Sequence, residues 1–71
     1  MDILVFKTNL EDHKHVRKLF PVLKNIEGVM RWNVDLEDHE KILRIEAQCL
    51  SPRSVESALS NAGYYCEELQ D

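Results

Sequence analysis

The sequence predicts an α+β domain in which two helices cover one face of a four-stranded antiparallel sheet, and three observations carry that expectation. Apolar residues alternate with period two from Arg31 to Leu36, as in a half-buried strand. They recur at spacings of three and four between Val16 and Ile26, as on one face of a helix. A second helix start is written at Ser51 and Pro52, a capping hydroxyl followed by proline at the first helical position, where its missing N–H costs nothing.

In chain order, Ile3 to Lys7 is apolar on both alternating faces and reads as a central strand. After the polar stretch Thr8 to Asp12 comes the amphipathic helix, with the stripe Val16, Leu19, Phe20, Leu23 and Ile26. Asn9 or Asp12 can cap its start and Gly28 suits its end, while Pro21 predicts a kink or an irregular first turn. The strand from Arg31 sets Trp32, Val34 and Leu36 on one side. The polar turn Glu37 to Glu40 then leads into a hairpin partner, Ile42 to Ala47, with Leu43, Ile45 and Ala47 inward. The second helix runs from Pro52 to about Ala62 and buries Val55, Ala58, Leu59 and Ala62; Gly63 ends it, and Tyr64 to Leu69 adds a final strand.

The order βαββαβ, with short connections and right-handed crossovers, folds into a ferredoxin-like sandwich with strand order 4-1-3-2. The expected core is Phe6, Leu19, Leu23, Trp32, Val34, Leu43, Ile45, Leu59 and Tyr64. A chain of 71 residues has room for one domain, here 1–71, with marginal stability that a ligand or a second copy would raise. The first strand lies between those carrying Cys49 and Cys66, which places the thiols two strand spacings, ~9.6 Å, apart. A disulfide spans no more than ~7 Å between Cα atoms, so two free thiols are expected.

Composition narrows the function. The chain is 44% hydrophobic and 31% charged, as folded globular proteins are. Nine basic residues against 13 acidic ones give a net charge of -4 without a basic patch, which excludes nucleic acid and anionic membrane surfaces as partners. No apolar run is long enough to span a bilayer and no signal-peptide pattern is present, so a cytoplasmic location is expected. No serine or cysteine has a paired base, and two glycines make no phosphate loop, so no enzyme activity is expected.

The stretch Ile26-Glu27-Gly28-Val29, the strand Trp32-Asn33-Val34-Asp35-Leu36-Glu37, and the ending Ala62-Gly63-Tyr64 with Glu67-Glu68-Leu69 resemble the heavy-metal-associated domain family over Ile3 to Leu69. The resemblance is to a divergent, small, bacterial-type branch. It implies the βαββαβ fold and, in copper chaperones and metal-pumping ATPases, a soft ion held between two thiolates of a Cys-x-x-Cys loop. That motif is missing here. Setting Val16 on the valine that follows the second family cysteine puts Asp12 and His15 at the two thiol positions. Copper transfer through thiolates is therefore not carried over.

Two candidate sites follow. Asp12, His13 and His15 in the first loop offer a carboxylate and imidazoles, harder donors that suit zinc, nickel or copper(II), in a weak and open site. No thiol is expected within reach of that loop, and no cofactor is expected to be required. The bland reading of the same residues is a helix start stabilised by Glu11 and Asp12, with solvated histidines. The second candidate is the sheet face away from the helices, where alternation places Ile3, Val5, Ile42 and Tyr65 in an apolar patch rimmed by Lys7, Arg31, Arg44 and Glu46. Such a patch suits a homodimer or another protein partner. The function expected is thus a non-enzymatic binding module with weak divalent-metal affinity at the first loop. The alternative is a protein-interaction or small-ligand module of the ACT kind, acting through the open face.

Overall fold

A computed structural model describes residues 2–69. Its elements are β1 (Asp2–Thr8), α1 (His13–Lys24), β2 (Val29–Asp35), β3 (Ile42–Ala47), α2 (Pro52–Asn61) and β4 (Cys66–Glu68). The four strands form one antiparallel sheet in the order β2-β3-β1-β4. This is the predicted ferredoxin-like α+β fold.

Alternation decides which residues of each strand meet the helices. Leu4, Phe6 and Thr8 of β1 and Leu43, Ile45 and Ala47 of β3 are buried on one face. Leu19 and Leu23 of α1 and Val55 and Leu59 of α2 close over them in a single cluster. Trp32, Val34 and Tyr64, expected fully inside, are half-buried and pack on its margin. Leu10 was not expected in the core and is completely buried. Ala62, expected on the buried stripe of α2, is exposed and caps the helix instead.

Three elements, α1, β2 and β4, depart most from their expected bounds. α1 stops at Lys24, with Asn25 as C-cap, rather than near Gly28, and it passes through Pro21 with one more turn beyond. Gly28 (φ 103°) instead closes the turn into β2: its carbonyl accepts from the Gln48 amide at 2.9 Å. β2 begins at Val29, two residues early, because a bulge between Val29 and Arg31 inserts Met30 and returns Val29 to the helix side. β4 is only three residues long. Its neighbours are tied by other means, Tyr64 to the Leu59 carbonyl and Leu69 to the Val5 carbonyl.

Candidate functional site

The loop between β1 and α1 is held by side chains at both ends. Thr8 is buried and its hydroxyl donates to the Lys41 carbonyl (2.6 Å) while accepting from the Leu10 amide (3.2 Å). This hydroxyl fixes the loop against the β2–β3 turn and lets Leu10 drop into the core. Asn9 is not the helix cap; its Oδ1 accepts from the Tyr65 amide at 2.9 Å and ties the loop to the approach of β4. Asp12 is the cap, its Oδ1 accepting from the amides of Lys14 (3.0 Å) and His15 (3.1 Å). These amides, that of His15 foremost, hold the Asp12 carboxyl below its ordinary value of 3.8.

His15 is committed in turn. Its Nδ1 accepts from the Glu11 amide at 3.1 Å, and its ring tilts against Tyr64 with 5.5 Å between centroids. An Nδ1 that accepts from an N–H leaves the neutral ring's proton on Nε2, so neither nitrogen offers a free lone pair in this arrangement. His13 is exposed in the first turn of α1. Asp12, His13 and His15 thus share one short segment, yet among the described residues no three His, Cys, Asp or Glu side chains are grouped to hold a metal ion. His39 lies on the polar turn, 3.9 Å from the Asp38 carboxylate.

A thiol stands closer to this loop than the sequence suggested. Cys66 pairs in register with Thr8, directly before the loop, whereas Cys49 is exposed at the other end of β3. Cys66 is half-buried, and burial, helped by the Glu56 charge, pushes its thiol up to about 12. Without a bound ion it is a packing group that burial keeps in its protonated form. Both cysteines are free, as expected.

The open sheet face departs from its expected composition. Ile42 is only 8% exposed, although alternation along β3 places it on the open face. It therefore cannot belong to an exposed patch. Ile3 is 54% exposed, Val5 half-buried and Tyr65 47% exposed. Ile3 and Tyr65 sit at opposite ends of β1, about 20 Å apart at ~3.4 Å per residue. The Lys7–Glu67 ion pair lies between them, and the Tyr65 hydroxyl donates to Glu67 at 2.9 Å. That bond raises the Tyr65 phenol above its ordinary value. The face is therefore mixed and has no continuous apolar centre.

The exposed apolar surface that sequence reasoning missed is on the other flank. Phe20 and Met30, each 58% exposed, border a groove with Pro21, Leu23, Lys24 and Trp32, and the Phe20 and Trp32 rings meet at 4.9 Å. Phe20 looked like part of the buried helical stripe. Only the bulge at Met30 reveals which way its neighbours turn.

No protein-family profile matches the chain, and no curated protein matches it. Solved structures do. The N-terminal domain of ZntA in its Zn(II) form is 25% identical, with a TM-score of 0.82 over 96% of this chain and 92% of that one. The yeast copper transporter domain Ccc2a, solved in apo and Cu(I)-loaded states, is 14% identical, with a TM-score of 0.82 over 97% and 96%. Oxidized MerP from Ralstonia metallidurans is 15% identical, with a TM-score of 0.82 over 97% of both chains. Among the described residues no helix is long and apolar enough to cross a membrane. In fold, the chain is a heavy-metal-associated-like domain, and its two cysteines, Cys49 and Cys66, form no Cys-x-x-Cys pair.

Proposed function

We propose that this chain is a non-enzymatic, heavy-metal-associated-like binding module that has lost thiolate-based copper transfer and takes a divalent ion only weakly, at its first loop. The observation that carries this reading is the chemistry at the start of α1. Asp12 caps α1 and His15 lies in its first turn, while the two thiols stand apart from them and from each other, Cys66 half-buried on β4 and Cys49 beyond β3. The hard donors, a carboxylate and imidazoles, support a divalent ion over a monovalent one, and the solved neighbours include both a Zn(II) form and a Cu(I)-loaded state. Weak binding follows from the hydrogen bonds already made. An ion on His15 Nε2 requires the ring proton on Nδ1 and so displaces the Glu11 amide, while Asp12 has one oxygen engaged in capping. Only exposed His13 binds without such a cost.

Titration of the protein with zinc or nickel chloride, followed by amide chemical shifts, tests this. Shifts are expected at Glu11 to Val16 with a dissociation constant above about 10 µM, corresponding to less than ~7 kcal/mol. They should vanish in His13→Ala/His15→Ala and at acid pH, where protons compete with the ion for imidazole donors. Shifts centred elsewhere, or unchanged in the double variant, would contradict it. The open sheet face is the surface on which the second reading, a protein partner, rests, its apolar content reduced to Ile3, Val5 and Tyr65.

A further inference from the structure

The sheet ends on one side in β4, three residues long, and on the other in β2, seven residues long. Which backbone groups β2 presents outward follows from hydrogen-bond alternation in antiparallel ladders. The Leu69 amide donates to the Val5 carbonyl at 2.8 Å, so Val5 faces β4, and Leu4 and Phe6 face β3. Their partners Ile45 and Leu43 face back, which turns Arg44 and Ile42 toward β2, opposite Asn33 and Asp35. Trp32 and Val34 therefore direct their N–H and C=O groups out of the sheet, at an edge where no strand among the described residues pairs with them. An edge of this kind is a template for another strand.

The side chains along β2 fit one particular strand, its own copy. An antiparallel pairing about a twofold axis at Asn33 sets Trp32 against Val34 of the second copy, so the outward backbone groups bond each other in the required alternation. The same register sets Arg31 against Asp35 of the second copy, opposite charges in a closely spaced, non-hydrogen-bonded pair. The Arg31 side chain is 80% exposed and only loosely paired, 3.9 Å from Glu46. Moving the axis to Trp32 sets Arg31 against Asn33, and moving it to Val34 sets Asp35 against Asn33; neither makes these pairs. A specific interface needs at least ~1,000 Å² in total, more than a ladder from Arg31 to Asp35 supplies. The apolar groove beside this edge, with exposed Phe20 and Met30, is the adjoining surface from which the remainder would come.

We infer that β2 pairs with β2 of a second copy across a twofold axis at Asn33, joining the two sheets, with Arg31 of each copy facing Asp35 of the other. The surface is distinct from the first loop and meets the open sheet face only along the β2 edge, where Arg31, Asn33 and Asp35 point. Sedimentation from about 10 µM to about 1 mM should show a concentration-dependent dimer, and the amides of Trp32 and Val34 should exchange more slowly at the high concentration. Asn33→Asp sets two carboxylates face to face on the axis and should weaken the dimer at least about tenfold. In the monomer the new carboxylate faces Arg44, so the fold and its circular dichroism should be kept. Asn33→Lys should be equally monomeric, and an equimolar mixture of the two variants should restore dimers. A wild-type monomer at about 1 mM overturns the inference. So does a dimer that survives both substitutions, or one in which the Trp32 and Val34 amides exchange at the same rate at both concentrations.

Discussion

Gly28→Ala tests how the chain enters the sheet. Gly28 stands at φ 103°, where L-residues are strained, and a Cβ there would lie 2.7 Å from the Gln48 carbonyl oxygen and 3.1 Å from the Leu50 Cβ. The carbonyl belongs to backbone held by the Gln48–Gly28 hydrogen bond, so it has little freedom to retreat. Gly63 provides the control: its φ is 94°, but a Cβ would meet nothing within 4 Å. Gly63→Ala therefore measures the conformational cost alone, about 1–2 kcal/mol. Gly28→Ala adds a steric cost of about 1–3 kcal/mol, for roughly 2–5 kcal/mol in all. That is a large share of the ~4–11 kcal/mol expected for a domain of this size at about 0.05–0.15 kcal/mol per residue. Urea unfolding of both variants, read at constant m, measures the difference directly. If Gly28→Ala costs no more than Gly63→Ala, the close approach to the Gln48 carbonyl does not constrain this turn.

Leu23→Ala or Ile45→Ala, each removing a fully buried side chain, should cost about 2–5 kcal/mol by urea unfolding, near the limit for a folded variant. Asp12 titrates below its ordinary value of 3.8 because it caps α1, so its contribution is present above that value and lost as pH falls through the lower, folded one. Thermal melts should show that loss in the wild type and not in Asp12→Asn, which keeps a capping oxygen without the charge. For Cys66 the sign is reversed: its folded value, about 12, lies above the ordinary 9.0, so stability is complete below 9.0 and declines as pH rises above it. Iodoacetamide at mildly alkaline pH should modify exposed Cys49 at least about tenfold faster than Cys66, and denaturant should abolish the difference.

Periodicity made the fold readable. Trp32, Val34 and Leu36 alternate cleanly because β2 has one wet face, and Ser51-Pro52 marks α2 because a cap and a first-turn proline act locally. Where burial depends on distant contacts the sequence was silent. Leu10 is a lone apolar residue in a polar stretch, and only the Thr8 hydroxyl reaching Lys41 turns it inward. Asn9 resembles a helix cap by residue type, but Tyr65, 56 positions away, claims its side chain. Val29 and Met30 are both apolar, so the bulge that separates their faces leaves no trace in the hydrophobic pattern. At the candidate site the donor types of Asp12 and His15 could be read from the sequence. The hydrogen bonds that engage both, and the register that brings Cys66 beside Thr8, belong to the folded state.

The central claim, a heavy-metal-associated-like domain without thiolate metal transfer, is tested most directly by copper(I) itself. The reduced protein would be titrated with copper(I) against a chromophoric copper(I) chelator under anaerobic conditions. With Cys66 half-buried beside Thr8 and Cys49 beyond the far end of β3, the two thiols cannot grip one ion, and the protein should withdraw no copper from the chelator. Stoichiometric one-to-one withdrawal that is lost in His15→Ala or Cys66→Ser would contradict the account, because it would show a soft-ion site at the first loop.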